Sequence, residues 1–452
     1  MPIRTPPSAV APPVAHGRGI PAATPGEVPR DRLLERLRRG TPRTRSVIAS
    51  APPGYGKTVL LAQLAREAEG AVAWIRVGPG RDDGRALASA IAGALSSAAP
   101  AADTPLLLVI DDLDAAAPEA FAAVSALLAD PPAGVRVAVA CRADAGLLLG
   151  RRLVEGGLTR LTADDLAFDA SEAEALMASA GIGLTRDALA LVRDRTEGWP
   201  AGLRLAALRI GEAPDPAAAV RAFAGDDRTV AAYLREVMLD GLGPETLAFL
   251  ASTSLLEPFS GDLCDAVLGT SGAARTLDDL ARTNLLLVGI DPGGERYRYH
   301  RLLGDLLRRE ARRLGPGPVG ELHRRASAWH EAARDAPAAV RHAVAAGDRE
   351  RAERLVWAAL PAALTRGEIG GMTEMLASFD VDDVAGSAPL AAASAWCHVE
   401  TRGELAAHDL AVAERAAATP GVAPPSLRAA VATLRAMLGR EGVAAMGRDA
   451  AA

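Results

Sequence analysis

Residues 51 to 58 constrain this chain more than any other segment. They read Ala-Pro-Pro-Gly-Tyr-Gly-Lys-Thr, and Lys57 is the only lysine among the 452 residues. The segment nearly matches the phosphate-binding pattern GxxxxGK[ST], with Ala51 in place of the first glycine. An apolar run, Val47 to Ala49, precedes it, and a helical pattern from Thr58 to Glu69 follows it. In such a strand–loop–helix context, backbone N–H groups and the helix N-terminus bind phosphate.

Each residue of the loop has a predicted task. Gly54 and Gly56 let backbone N–H groups point at phosphates, and Tyr55 between them is predicted to belong to the same nucleotide-binding loop. Lys57 is expected to reach the β- and γ-phosphates, because its ammonium is compact and its stem is flexible. The hydroxyl of Thr58 is expected to ligate Mg²⁺. The alternative interpretation is a glycine-rich turn that binds nothing.

Short apolar runs alternate with helical stretches over the first third of the chain. This alternation predicts a P-loop NTPase domain of the α/β class, with a parallel sheet flanked by helices, because strands buried on both faces are apolar throughout. Beyond residue 166 strand patterns nearly vanish, which predicts all-α, winged-helix and helical-repeat regions. The predicted strands are Val47–Ala49, Val72–Val77, Leu106–Ile110, Val135–Ala140 and Leu158–Leu161.

Charged residues follow the third and fourth predicted strands. Asp111, at the end of a buried strand, is delivered to the carboxyl edge of the sheet and suits the Mg²⁺ shell. Asp112 is predicted to polarise a water for attack on the γ-phosphate. Arg142 is predicted to pair with the terminal phosphate, and its alternative is a surface ion pair with Asp144. An Asp pair after a strand is also common in caps and turns.

Composition and charge exclude several classes of protein. The net charge of −6 gives no basic field suited to nucleic acid. Three widely spaced cysteines in no CxxC pattern, Cys141, Cys264 and Cys397, indicate reduced thiols. No signal peptide opens the chain, and the longest uncharged stretch is interrupted by Pro100. We therefore expect a cytoplasmic protein with no membrane contact.

The pattern of turns and helices predicts five segments. A late hairpin, with strands at Leu285–Ile290 and Arg296–Tyr299, is typical of a winged-helix module. Turns at Gly347, Gly367 and Gly403 separate Ala-rich helices and suggest a helical-repeat array. The predicted segments are a disordered tail (1–24), the P-loop NTPase domain (25–165), a helical subdomain (166–215), a winged-helix-like domain (216–318) and a TPR-like helical-repeat region (319–452).

Five segments together resemble the MalT-type STAND ATPases, the large ATP-dependent members of the LuxR group of transcription regulators. The resemblance extends from about residue 27 to 360 and implies ATP or ADP with Mg²⁺ as cofactors. The segments are Ser50–Thr58, Leu108–Leu113, Ala140–Asp144, Thr196–Leu203 and Tyr297–Leu303.

This resemblance implies roles for three further residues. Pro200 stands in the family's GxP motif, Gly198-Trp199-Pro200, where the proline helps to hold the base and sugar. The alternative is a helix break that packs Trp199 in a core. Arg30 corresponds to the stretch that lines the adenine side. His300 corresponds to a histidine that contacts the β-phosphate of ADP, and its alternative is a structural hydrogen bond.

Three other histidines match no metal-ligand pattern. They are interpreted as ordinary helix residues: His323, His330 and His342.

The family's C-terminal LuxR-type helix-turn-helix is not visible in these residues. Either the sensor array and the DNA-binding domain are lost, or the chain is a fragment, so the helical region is expected to be incomplete. DNA binding is expected only through a helix-turn-helix that this chain does not contain.

The resemblance implies a signalling switch that is at most a slow ATPase. ADP holds the closed state, an unknown small-molecule or protein inducer binds the helical repeats, and the ATP-bound form self-associates. Slow hydrolysis resets the switch. The alternatives are a P-loop ATPase or small-molecule kinase with rapid turnover, and a protein-interaction scaffold with a structural P-loop.

Overall fold

The computed structural model describes most of the chain. The disordered tail predicted for residues 1–24 falls mainly on residues 1–18, outside the described part, as do Leu285 and Pro292 of the predicted hairpin. The described residues are 19–38, 45–78, 84–97, 105–144, 146–147, 149–283, 286–291, 293–399, 403–417 and 425–438.

Five parallel strands form a sheet of order β2-β3-β4-β1-β5. Every residue of β1 and β3 is buried, as the apolar runs Val47–Ala49 and Leu106–Ile110 require of strands covered on both faces. The order places the carboxyl ends of β1, β3 and β4 near one another, because β4 lies between the other two. The strands are β1 (Ser46–Ser50), β2 (Ala71–Arg76), β3 (Leu106–Asp111), β4 (Val135–Cys141) and β5 (Leu158–Leu161).

The predicted α/β class is confirmed, and the predicted strands agree with the observed ones to within about one residue at each end. Ile48, Leu108 and Val139 belong to one buried cluster that also includes residues of the flanking helices. The first half of the chain forms helices α1 (Asp31–Arg38), α2 (Lys57–Arg66), α3 (Gly84–Ser97), α4 (Pro118–Ala129), α5 (Gly150–Val154), α6 (Ala163–Leu166), α7 (Ala170–Ser179), α8 (Arg186–Thr196), α9 (Pro200–Gly211), α10 (Pro216–Ala222) and α11 (Arg228–Leu234).

The second half is mostly helical, as predicted. Short strands lie in its first part: β6 (Phe259–Ser260), β7 (Leu287–Gly289) and β8 (Arg296–Tyr299). β6 pairs antiparallel with β8, with Phe259 opposite Tyr297. The helices are α12 (Pro244–Thr253), α13 (Gly261–Leu268), α14 (Ala273–Arg282), α15 (Arg301–Arg312), α16 (Pro316–Ala332), α17 (Ala336–Ala345), α18 (Arg349–Arg366), α19 (Ile369–Leu376), α20 (Val381–Gly386), α21 (Ala388–His398), α22 (Gly403–Ala417) and α23 (Pro425–Leu438).

The chain divides into two compact units. The first comprises residues 1–243, 276–289 and 298–306, and the second comprises residues 244–275, 290–297 and 307–452. The boundary passes through α14, β8 and α15, so the segment predicted to be a winged helix contributes residues to both units. The five-segment division predicted from the sequence remains a prediction.

Small residues form much of the core of the second unit. Ala339, Ala343 and Ala393 are fully buried in one cluster, where short side chains let helices approach closely. Gly347 and Gly367 have φ angles of 73° and 69° and connect successive helices, a left-handed conformation that favours glycine. Within the described ranges, no helix combines the length and apolarity that crossing a membrane requires.

Candidate nucleotide-binding site

Residues 51–56 form a tight loop between β1 and α2. Gly54 and Gly56 have φ angles of 80° and 77°, in the region that favours residues without a Cβ atom. A Cβ atom on Gly54 would also lie 2.6 Å from the Cβ of Ala201 and 2.8 Å from Nε1 of Trp199. Gly54 is therefore required both by the backbone conformation and by the available space.

Lys57 is the first residue of α2, and its side chain folds back over the loop. Its Nζ donates hydrogen bonds to the carbonyl oxygens of Ala51, at 2.7 Å, and Pro52, at 3.0 Å. Burial lowers the pKa of Lys57, and the negative charge of Asp114 opposes that decrease. Because a charged oxygen binds an ammonium more strongly than a carbonyl does, an anion at the loop would compete for Nζ.

Strand β3 places Asp111 next to Thr58. Thr58 Oγ1 donates to Asp111 Oδ1 at 2.9 Å. Asp111 is fully buried, and its Oδ2 has no hydrogen-bond partner in the described part of the chain. Burial raises the pKa of Asp111, and repulsion by Asp112 adds to the increase. Burying a carboxylate without a partner is costly, and hydroxyl and carboxylate oxygens are Mg²⁺ ligands, so this pair fits the ion.

The turn before α9 is hydrogen-bonded to the loop. Nε1 of Trp199 donates to the carbonyl oxygen of Pro53 at 3.0 Å, and the backbone N–H of Ala201 donates to that of Gly54 at 3.1 Å. Trp199 is fully buried, and Pro200 occupies the first position of α9, which suits proline because no intrahelical N–H partner exists there. Trp199 thus packs in a core and also fixes the loop.

A cavity of about 270 Å³ opens beside the loop. Its walls include Gly54 and Gly56 from the loop, Pro200 and Arg204 from α9, and Leu176 from α7. A mainly apolar cavity with a few convergent polar groups is typical of small-molecule sites. The phosphate-binding loop therefore borders a space in which the rest of a nucleotide can lie.

Arg30 lines this cavity, and its guanidinium has other partners, so its predicted place on the adenine side stays a prediction. It donates to Glu172 Oε1 at 2.9 Å and to the carbonyl oxygen of Leu166 at 2.8 Å, and it lies 4.6 Å from the ring centroid of Phe168. Only 2% of Arg30 is exposed. Burial lowers its pKa, and the charge of Glu172 opposes the decrease. Arg30 therefore forms part of the wall and joins the N-terminal segment to α7.

Comparisons with known proteins bear on this arrangement. The family model described as the MalT winged helix domain matches residues 234–319. The serine/threonine-protein kinase PknK of Mycobacterium tuberculosis is 31% identical over 390 residues, which are 77% of this chain and 35% of the relative. The HTH-type transcriptional regulator MalT of Klebsiella pneumoniae is 26% identical over 403 residues, which are 82% of this chain and 44% of that protein. The chain is MalT-like over most of its length.

The MalT-like chain spans 35% and 44% of the lengths of these two relatives. Among solved structures, a STAND protein with a tetratricopeptide repeat sensor from Pyrococcus horikoshii aligns with a TM-score of 0.31 and 17% identity, over 94% of this chain and 70% of that one. A Walker-type ATPase of Pyrococcus abyssi aligns with a TM-score of 0.47 and 12% identity, over 62% of this chain and 96% of that one. Likeness at these TM-scores does not bear on function.

Arg142 of the MalT-like chain is exposed and follows β4. The carboxylate of Asp114 accepts hydrogen bonds from the backbone N–H groups of Arg142 and of Ala143, the latter at 3.2 Å. The Asp144 side chain, considered as an alternative partner of Arg142, forms an ion pair of 2.6 Å with Arg160. Asp114, which sequence reasoning did not single out, therefore orients the loop that presents Arg142.

Asp112 adopts a left-handed conformation with φ of 59°. Its Oδ2 lies 2.8 Å from Nη2 of Arg76, in an ion pair whose side chains are 44% and 67% exposed. The carboxylate proposed to polarise a water thus has an arginine partner at the surface.

His300 is only 1% exposed, and the backbone engages both its ring nitrogens. Nε2 lies 2.9 Å from the carbonyl oxygen of Thr196, and Nδ1 lies 3.3 Å from the backbone N of Leu302. Burial lowers the pKa of His300. A contact between His300 and a phosphate would require the ring to leave these partners, so its predicted role remains a prediction.

Two other residues complete the description. Tyr55 is buried, and burial raises the pKa of its hydroxyl, with the charge of Glu197 adding to the increase. Arg204 was not singled out from the sequence. Its spacing could have indicated it, because Arg204 follows Pro200 by four residues and residues at that spacing share a helix face.

Proposed function

We propose that this chain is the nucleotide-binding switch of a MalT-like regulator, binding ATP or ADP with Mg²⁺ at the loop of residues 51–58. The observation that supports it most is the pairing of Thr58 with Asp111, since it leaves a buried carboxylate oxygen without a partner beside a phosphate-binding loop. In a loop that binds nothing, such an oxygen would only destabilise the fold.

Each residue has a task in this proposal. Thr58 and Asp111 hold Mg²⁺, which supplies positive charge to the phosphate oxygens. Backbone N–H groups around Tyr55 bind the phosphates, and Lys57 leaves its carbonyl acceptors to contact the β- and γ-phosphates. Pro200 borders the base and sugar. His300 contacts the β-phosphate of ADP only in a state where its ring has left Thr196.

Hydrolysis is proposed to be slow and to reset the switch. The ion pair between Asp112 and Arg76 supports this view, because a carboxylate engaged with an arginine is less available to orient a water. Arg142 pairs with the terminal phosphate. Its positive charge adds to the burial that lowers the pKa of Lys57, which supports its position near the phosphates.

The output is proposed to be self-association of the ATP-bound form in the cytoplasm. An inducer of unknown chemistry binds the helical region after residue 319, and DNA is bound by a helix-turn-helix outside these residues. The similarity to MalT supports both statements.

Nucleotide binding tests the proposal directly. Purified chain should bind ADP with Mg²⁺ in a calorimetric titration, and Lys57→Ala should abolish binding. Arg151→Ala, on the exposed surface of α5, is the matched control and should bind normally. Absence of ADP and ATP binding by the wild type would refute the proposal, and turnover above about 1 s⁻¹ would favour a motor ATPase or kinase instead.

A further inference from the structure

The turn between α8 and α9 contains a conformation that side chains rarely adopt. Glu197 has φ of 48° and ψ of 31°, in the left-handed region, and Gly198 follows with φ of 71°. A Cβ atom on Gly198 would lie 2.8 Å from the carbonyl oxygen of Phe168. The turn therefore has little room to adopt another course, and something must stabilise Glu197 in its unusual conformation.

The carboxylate of Glu197 accepts three hydrogen bonds from residues 298–301. Nη1 and Nη2 of Arg298 each donate at 2.7 Å, one to each oxygen, and the backbone N–H of Arg301 donates at 2.9 Å. Burial raises the pKa of Glu197, but the hydrogen bonds from Arg298 and Arg301 and the nearby positive charges together outweigh burial, so the pKa is lowered. The paired, two-point geometry fixes the carboxylate in orientation as well as in distance.

Hydrogen bonds connect this turn to the phosphate-binding loop. Two residues after Glu197, the indole of Trp199 donates to Pro53, and the N–H of Ala201 donates to Gly54. Both acceptors are backbone carbonyls within the loop. A rotation of the backbone at Glu197 would therefore move the two donors that fix the loop's shape.

We infer that Glu197 and Arg298 are positioning residues of the nucleotide site. By keeping residues 197–201 in one conformation, the pair holds the indole of Trp199 where it bonds the loop. The inference rests on the proposed nucleotide binding and adds its regulation. Arg298 lies within the segment that matches the winged-helix model. Any partner or inducer that pulls Arg298 away from Glu197 therefore lowers nucleotide affinity.

A matched pair of variants tests this inference on the full chain. Arg298→Ala should weaken the affinity for ADP with Mg²⁺ about tenfold in a calorimetric titration. Arg308→Ala is the control and should change it less than about twofold. Arg308 and Glu257 form an ion pair of 2.9 Å with side-chain exposures of 37% and 20%, against 2.7 Å, 35% and 20% for Arg298 and Glu197.

A double-mutant cycle separates positioning from general support of the fold. Trp199→Phe removes the indole N–H but keeps an aromatic ring. If Arg298 acts through this bond, Arg298→Ala should weaken ADP binding less than about twofold in the Trp199→Phe background. A tenfold loss in both backgrounds would overturn the inference, because the effect would then not pass through Trp199.

The remaining outcomes are also decisive. Wild-type affinity for ADP in Arg298→Ala overturns the positioning role and leaves the proposed function intact. A wild type that binds no ADP overturns the proposed function itself. If Trp199→Phe does not fold, Arg298→Lys replaces it: lysine keeps the charge without the two-point geometry, so an affinity between those of Arg298→Ala and the wild type is expected. Wild-type affinity in Arg298→Lys overturns the role of that geometry.

Discussion

Among the described residues, the sheet edge and the helical region both bury polar atoms without hydrogen-bond partners, and they do so for different reasons. At the sheet edge, Asp111 is fully buried with an oxygen that accepts no hydrogen bond in the described part of the chain. In the helical region, His323, His330 and His342 lie together between α16 and α17. Nδ1 of His323 is 2.9 Å from that of His342, and the rings of His330 and His342 stack with centroids 5.4 Å apart.

The difference lies in how each group can avoid a buried charge. Burial lowers the pKa of His342 to about 3, and the neighbouring histidines add to the decrease, so the ring remains neutral at pH 7 without any ligand. A buried carboxylate oxygen without a hydrogen-bond partner is instead stabilised by a cation. A buried titratable residue therefore marks a ligand site only where loop, helix terminus and hydroxyl converge on it.

The largest effect should follow from Lys57→Arg, which changes the sheet edge alone. The variant keeps the charge but replaces a compact ammonium by a rigid fork, so ATP affinity should fall about 100-fold, or about 2.7 kcal/mol, and the switch should no longer open. Calorimetric titration measures the affinity. Arg151→Lys, the reverse exchange at a side chain that is 88% exposed, should have no effect. Unchanged ATP affinity in Lys57→Arg would remove the reason for a lysine there.

Asp111→Asn tests whether Oδ2 of Asp111, which has no hydrogen-bond partner in the described part of the chain, needs a cation. The affinity for ADP should fall about 10- to 100-fold with Mg²⁺ present and lose its dependence on Mg²⁺. The nucleotide-free variant should unfold at the wild-type temperature or higher, because a buried charge is removed. Asp130→Asn, at a side chain that is 94% exposed, is the control. A variant that still gains affinity from Mg²⁺ would assign the ion to other ligands.

The histidine cluster predicts acid sensitivity of the helical region. Burial lowers the pKa values of all three histidines in the folded state. At acid pH the unfolded chain therefore binds more protons than the folded chain, and this favours unfolding. The free energy of unfolding should therefore fall as pH decreases below about 6.5, by up to about 1.4 kcal/mol per pH unit for each histidine.

Urea unfolding between pH 8 and 5 measures this slope. Asp335 is the carboxylate beside His330, while Arg341 opposes protonation of His330 and His342. His342→Leu should flatten the slope, and His408→Leu, at an exposed position on α22, should not. Equal slopes in wild type and His342→Leu would show that the cluster does not control acid sensitivity.

The smallest effect is expected from Arg204→Ala, in the part of the cavity wall that α9 forms. ADP affinity should fall about fivefold, because one charge-assisted contact is lost, while the affinity for inorganic tripolyphosphate should not change. Arg209→Ala, on the same helix but paired with Asp227 at 3.0 Å, should change neither. Equal losses for both ligands would place Arg204 at the phosphates.

Local sequence patterns predicted the elements well and their contacts poorly. The strands Leu158–Leu161 and Arg296–Tyr299 were predicted with the observed bounds, because alternation and turn residues are local signals. The helix after the loop ends at Arg66 rather than Glu69, and the two-residue strand Phe259–Ser260 was not predicted. Such short pairings carry almost no sequence signal.

By itself, the sequence determined the chemistry at the loop: one lysine, two glycines, a threonine and an aspartate that ends an apolar strand. Only the tertiary structure decided what fixes that loop. Trp199 and Pro53 are 146 residues apart, and Glu197 and Arg298 are 101 residues apart. Contacts at such separations depend on how helices and strands pack, because no local pattern of residues specifies which distant side chain will meet a given turn.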